Sequence, residues 1–210
     1  MSCVGLVARK GREKQRYQEH FRLVSGCIPY KLIEETPVEH NHSDDLLNRL
    51  RVVMISTPTQ HDFVFPKGGW ENDETDEEAA CREALEEAGV RGVIRGELGV
   101  WDFRSKSKQN MSHLKGWCRG TMFALEVNEE MTSWPEQDTY ERKWLTVKEA
   151  WEVCRYDWMR EALKNCMVFL SGKTESTAMT EIPEPSISTS VRPLTESSSK
   201  GSISMICIDG

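Results

Sequence analysis

The sequence predicts an α/β protein with one domain over residues 18–171, a basic arm before it (1–17) and a disordered Ser/Thr-rich tail after it (172–210). Three observations carry this expectation. Short β-branched and aromatic runs alternate with helical patterns as far as Leu170, one helix is marked at both ends by capping residues, and the composition changes abruptly after Ser171. A chain of 210 residues with 38% hydrophobic content can bury one core of ordinary size.

The elements follow in order. Phe21 to Ile33 reads as a strand with an internal irregularity at Gly26-Cys27, and the acidic, Pro37-containing stretch Glu34 to Asp45 as a loop. Leu50 to Thr57 is a second strand ended by Pro58, and Phe63 to Phe65 a short third one ended by Pro66. A Lys-Gly-Gly turn at 67–69 follows. Thr75 to Ala88 is the clearest helix, opening with Thr75-x-x-Glu78 in the form of a capping box and closing at Gly89. Its faces separate: Ala80, Cys81, Ala84, Leu85 and Ala88 on one side, Glu83, Glu86 and Glu87 on the other. Val90 to Phe103, Trp117 to Val127 and Arg142 to Val147 read as strands. Lys148 to Cys154 and Tyr156 to Leu170 read as helices, the second with Trp158, Leu163, Met167 and Leu170 facing inward. Beyond it Ser, Thr, Pro and Glu dominate, too polar a mixture to offset the entropy of ordering.

Charge and cysteines narrow the function classes. A formal net charge of -7 argues against a nucleic-acid coat, since nonspecific phosphate binding needs a positive surface. No apolar run approaches the roughly 20 residues that span a bilayer, so no membrane partner is expected. The seven cysteines are scattered without zinc or disulfide spacing, which fits reduced thiols and a cytoplasmic or nuclear address. The basic first 22 residues are also compatible with a mitochondrial one. Basic residues cluster again at Arg104, Lys106, Lys108, His113, Lys115 and Arg119. Such a patch beside an acidic middle suits a site that holds both metal ions and phosphates, or is a solvated loop. His40 and His42 are expected to face solvent, His113 to be a loop residue, a phosphate contact or an acid, and Trp70 to pack or to line a pocket.

Glu83 and Glu87 lie one helical turn apart with Glu86 beside them, so three carboxylates are expected to meet on one patch that like-charge repulsion would destabilise without a bound cation. Hard oxygen donors of this kind suit Mg²⁺ or Mn²⁺. Three glutamates at this spacing are most often a solvated helix face. Here they sit within GGWENDETDEEAACREALEEAGV, from Gly68 to Val90. That segment has the pattern Gly, five residues, Glu, seven residues, then Arg-Glu-aliphatic-x-Glu-Glu-x-Gly-aliphatic.

With Gly68, Glu74, Arg82, Glu83, Glu86, Glu87 and Gly89 at the fixed positions, the chain resembles the Nudix hydrolases, over roughly Arg12 to Leu170. Ala84 stands where that family usually has a bulkier aliphatic residue. The resemblance implies an α/β/α sandwich around a mixed sheet and an enzyme that cleaves phosphoanhydrides by water attack at phosphorus, with Mg²⁺ or Mn²⁺ as cofactor. It makes Glu83 and Glu87 the main metal ligands, Glu74 an accessory one and Glu86 the general base. Arg82 would orient a carboxylate, Gly68 and Gly69 would let the backbone approach metal and phosphate, and Gly89 would end the helix.

The runs FVFPKGGWE, GCIPY, FRSKS, FALEV, WPE and RYDWMREAL look like the plant branch acting on diphosphoinositol polyphosphates and diadenosine polyphosphates. By that likeness a small polyanionic substrate would be held by Arg22, Lys31, Lys67, Arg104 and Lys106, with Arg12 and Arg16 nearby. Lys67 departs from animal relatives, which have a third glycine there. Two other readings stay open: an RNA 5′-cap or RNA-end hydrolase, and a non-catalytic Nudix binding module. The first wants a longer basic groove, and the second has no need of clustered like charges.

Overall fold

The protein is described by a computed structural model over residues 7–33, 45–57, 60–105 and 116–172. Lys106, His40, His42, His113 and the tail from residue 173 lie outside the described residues. The strands are β1 (Tyr17–Gln18), β2 (Phe21–Leu32), β3 (Leu50–Thr57), β4 (Gln60–Val64), β5 (Lys67–Gly69), β6 (Val90–Arg104), β7 (Trp117–Glu130) and β8 (Arg142–Thr146). The helices are α1 (Asp45–Arg49), α2 (Asp76–Ala88), α3 (Val147–Val153) and α4 (Asp157–Leu170).

The eight strands of the described residues belong to one mixed sheet ordered β4-β3-β2-β7-β6, with β1 and β5 added on β2 and β8 on β3. The β2–β7 pair is parallel and the others are antiparallel. β2 and β7 each carry consecutive buried residues, as strands covered on both faces do. Alternation assigns the faces of β2. Ser25 and Cys27 look toward α2, where Ser25 Oγ donates to Asp76 O at 2.7 Å. Val24, Ile28 and Tyr30 look the other way. α4 packs on β6 and β2, and α3 on β3 and β8. This is the α/β/α arrangement around a mixed sheet. No described helix is long and apolar enough to cross a membrane.

Three local expectations are corrected. The expected irregularity of β2 at Gly26-Cys27 is absent from its pairing with β7, which runs unbroken from Arg22 to Tyr30. The break is on the other edge, where β2 changes partner: Val24 to Gly26 pair with β5, and Tyr30 to Leu32 with β3. Lys67-Gly68-Gly69 is that short strand and not a turn, because hydrogen bonds to β2 supply what glycine's poor strand propensity withholds. In α4 the fully inward residues are Met159, Ala162, Leu163 and Cys166, spaced i, i+3, i+4 and i+7. Of the residues expected there only Leu163 is among them. Trp158, Met167 and Leu170 are partly buried at the margin of the core, and Trp158 stacks on Phe103 with ring centroids 4.6 Å apart.

Candidate active site

The site is built on α2, and both of its ends are defined by local chemistry. Thr75 Oγ1 accepts from the Glu78 amide at 3.1 Å and the Glu78 carboxylate accepts from the Thr75 amide at 2.8 Å, so two otherwise orphan donors are satisfied. At the far end Gly89 takes φ 61°, the left-handed region that glycine enters without strain, and its amide donates to Ala84 O and Leu85 O. Ala79, Ala80, Ala84 and Ala88 are fully buried, and such small side chains let the helix axis lie close to β2. The carboxylate face is not solvated: Glu74, Glu83 and Glu86 retain only 7–8% exposure.

Arg82 organises three of these carboxylates. Its Nε and Nη2 form a two-point contact with Glu74 at 2.9 and 2.8 Å, and its Nη1 donates to Glu83 Oε1 at 2.7 Å and to Glu86 Oε2 at 3.2 Å. Nη2 also donates to Gly69 O at 2.8 Å, which ties the helix to β5. Burial pushes the Glu74 carboxyl up, but Arg82, the Glu71 amide and Arg9 outweigh it and hold it below the ordinary range. Glu86 moves the opposite way, because its burial outweighs hydrogen bonds from the Arg9 amide and Arg82.

Glu83 and Glu87 form a coupled pair. Burial raises both; Glu83 is relieved partly by Arg82, while Glu87 feels Glu83 and has Lys67 as its main counter-charge. The Glu87 carboxylate also accepts from the Lys67 amide at 2.8 Å. Burial and the same carboxylate raise the Tyr140 hydroxyl well above its usual value. β5 closes over this pair at a spacing only glycine allows. A Cβ on Gly68 would lie 2.1 Å from the Glu83 carboxylate, and one on Gly69 would lie 2.1 Å from Gln15 Oε1.

Among the described residues no three His, Cys, Asp or Glu side chains are grouped so as to hold a metal ion by themselves. Glu83 nevertheless stands between its two neighbours on the helix: it shares Arg82 Nη1 with Glu86 and presses on Glu87, while Glu74 takes the other side of the same guanidinium. The pair of Glu83 and Glu87 fits a hard divalent cation. It is a buried surplus of negative charge made of oxygen donors, and Mg²⁺-type ions take only one or two carboxylates and fill their shell with water and phosphate.

A cleft of about 210 Å³ opens beside Gly68, lined by Arg22, Lys67, Phe103, Arg104 and Tyr156. It adjoins a smaller hollow that shares Arg22, Ser105 and Cys118 and adds Arg12, Tyr17, His20 and Trp117. Three of the expected phosphate contacts, Arg22, Lys67 and Arg104, are thus brought together. Lys31 is not: nine residues along β2 from Arg22, its Nζ sits 3.1 Å from Glu130 and 4.0 Å from the Trp144 ring centre. Extended strand spacing puts it roughly 30 Å away.

Arg16 is turned to backbone carbonyls of Glu71, Asn72 and Glu74 and stacks on Trp70, so both serve to hold the loop before α2. Missed in the sequence are Arg9, whose amide donates to Glu86 Oε1 at 3.2 Å and whose guanidinium pairs with Glu71 and Asp73, and Arg142 at the end of α2. Both are remote in sequence and belong to no motif, so only the fold could bring them in.

The NUDIX domain family matches residues 46–166. The chain is 57% identical over 160 residues to a protein named Nudix hydrolase 12, mitochondrial, of Arabidopsis thaliana, covering 76% of this chain and 79% of the relative. It is 55% identical over 184 residues to Nudix hydrolase 13, mitochondrial, of the same plant, covering 84% and 91%. Among solved structures, a C. elegans Ap4A hydrolase binary complex aligns with a TM-score of 0.53 and 17% identity over 71% of this chain and 98% of that one, which is a likeness of fold. The family match, the extent of identity with named hydrolases and the helix-borne glutamates in this sheet agree: the chain belongs to the Nudix hydrolases and is an enzyme of that family.

Proposed function

We propose that the protein hydrolyses a phosphoanhydride bond in long polyphosphate compounds, either diphosphoinositol polyphosphates or long-chain diadenosine polyphosphates, with Mg²⁺ or Mn²⁺. The observation that carries this reading is the continuity of two opposite features. The Glu83 carboxylate of α2 lies under Gly68, Glu87 accepts from the Lys67 amide, and a cleft with Arg22, Lys67 and Arg104 begins at the same strand. One half suits a cation, the other a chain of phosphates.

In this reading Glu83 and Glu87 hold the divalent ion, with Glu74 as accessory ligand. An ion held there would supply a water of lowered pKa and would offset charge on the phosphoryl oxygens. Glu86 accepts the proton of the attacking water. The Arg9 amide and Arg82 fix its orientation, as a base that must point at one water requires. Arg82 also keeps Glu74 ionised. Gly68 and Gly69 leave room for the polyphosphate to approach the backbone, and Arg22, Lys67 and Arg104 align it.

Product analysis with and without each metal, on a diphosphoinositol polyphosphate, diadenosine hexaphosphate, adenosine diphosphate ribose and capped RNA, tests the reading. Metal-dependent turnover of the first two is expected. Turnover of capped RNA alone would replace the substrate class, and silence on all four would favour the binding module. Neutralising Arg22 and Arg104 together is expected to raise KM for the hexaphosphate more than for a shorter homologue, since the longer chain gives up more charge contacts. The names of the two plant relatives and the basic first 22 residues favour mitochondria over the cytoplasm or nucleus. Import of a fluorescent fusion, or its failure, decides that.

A further inference from the structure

The last turn of α2 carries Glu86 and Glu87, yet it has no basic residue of its own to balance the negative end of the helix. The cation comes from β8. Arg142 Nη1 donates to Ala88 O at 3.1 Å, Gly89 O at 2.9 Å and Met131 O at 3.2 Å, and its Nη2 donates to Met131 O at 3.3 Å. Its guanidinium lies 4.5 Å from the centre of the Trp134 ring, and its side chain is only 16% exposed. Trp134 in turn closes on the helix end, where a Cβ at Gly89 would lie 2.6 Å from the indole.

Two backbone bonds complete the contact. The Met131 amide donates to Gly89 O at 2.8 Å, and the Glu136 amide donates to Glu86 O at 3.0 Å. Carbonyls that a helix end leaves without partners are therefore satisfied by one segment, residues 131–142. That segment bonds the main chain of Glu86 itself.

We infer that Arg142, seated on Trp134, is a positioning residue for the hydrolytic reaction: it holds the last turn of α2 so that Glu86 and Glu87 keep their places relative to β5 and the cleft. The inference rests on the assignment of Glu86 as the base. A cap that served stability alone would shift the melting temperature and leave turnover of the folded enzyme unchanged. A clamp on the reacting groups acts on turnover, because a misplacement of roughly 1 Å can cost about 100-fold in rate. Lysine cannot take over, since one ammonium on a flexible stem does not reproduce a planar fork that serves three carbonyls and stacks on an indole.

The test compares Arg142→Ala, Arg142→Lys and Trp134→Leu with Glu86→Gln in the full chain. Kinetics use diadenosine hexaphosphate and Mg²⁺, expressed per folded molecule, and amide hydrogen exchange is followed without metal. Arg142→Ala is expected to lose about 10- to 100-fold in kcat with KM within about twofold. Arg142→Lys should not restore it, whereas millimolar guanidinium should partly rescue Arg142→Ala. Exchange should accelerate at the Gly89 and Glu136 amides and stay unchanged in β2 and β7.

An unchanged kcat in folded Arg142→Ala, or exchange that rises evenly across the sheet, would overturn the inference. If Arg142→Ala does not fold, Arg142→Lys and Trp134→Leu carry the same two readouts. If Glu86→Gln turns over at the wild-type rate, the assignment of the base fails and the inference falls with it. An inactive Glu86→Gln beside a fully active Arg142→Ala removes the clamp alone.

Discussion

α2 and α4 are nearly equal in length, 13 and 14 residues, and both lie against the sheet, but they are held there by different means. α4 buries Met159, Leu163 and Cys166 with Ala162, and its N-cap, Tyr156, makes no side-chain capping bond. Its stability comes from apolar area removed from water. α2 buries alanines and glutamates, so it gains little from apolar burial and bears the cost of enclosed charge. It is secured at specific points instead: a capping box at Thr75, Arg82 across Glu74, Glu83 and Glu86, and Arg142 at the far end. The difference teaches that a helix given to chemistry surrenders the face that would otherwise stabilise it, and that polar clamps at its ends and across its charged face replace what is lost.

Substitutions can break this contrast in either direction. The largest effect is expected from Glu86→Gln, which should lower kcat by about 10² to 10⁴ and leave the melting temperature no lower, because a neutral amide is easier to bury than a carboxylate. Calorimetry beside steady-state kinetics checks both halves. Leu163→Ala in α4 should do the reverse, costing about 2–5 kcal/mol of stability while kcat per folded molecule is unchanged. Denaturant titration reads that loss. Thr75→Ala removes the N-cap of α2 and should cost about 1 kcal/mol, visible in the same titration.

The smallest effect concerns pH. Burial alone would raise Glu130, but the Trp144 indole, Lys31 and Arg142 hold its carboxyl below the ordinary range. Its folded pKa is thus depressed, so the stability it contributes is present above the unfolded value, near 4.5, and is lost as pH falls through the folded one. Melting curves of Glu130→Gln and the wild type should differ slightly at neutral pH and converge in acid. A gap that widens in acid would remove that account.

Most of the helices and strands, and every residue of the α2 motif, were legible in the sequence because they follow local rules. Periodicity, capping residues and turn chemistry act over a few positions, and the spacing of Glu83, Glu86 and Glu87 follows from helical geometry alone. The short strand at Lys67 to Gly69 was not legible. Two glycines carry no local preference for a strand, and its hydrogen bonds come from a segment some forty residues earlier, as the pairing of Gly26 with Lys67 shows. Lys31 and Arg22 looked equivalent as two cations on one strand, and only the strand's length put one at the cleft and the other beside Glu130 and Trp144.

By itself, then, the sequence determined the family, the helix that carries the carboxylates and the class of chemistry, since each rests on residues near one another in the chain. The tertiary structure decided which cations serve that helix. Beyond the helix's own Arg82, Arg9 and Arg142 reach it from two distant parts of the chain, and Arg104 reaches the cleft from a third. Electrostatic partnership depends on distance through space and on burial, and neither is written in the spacing of residues along the chain.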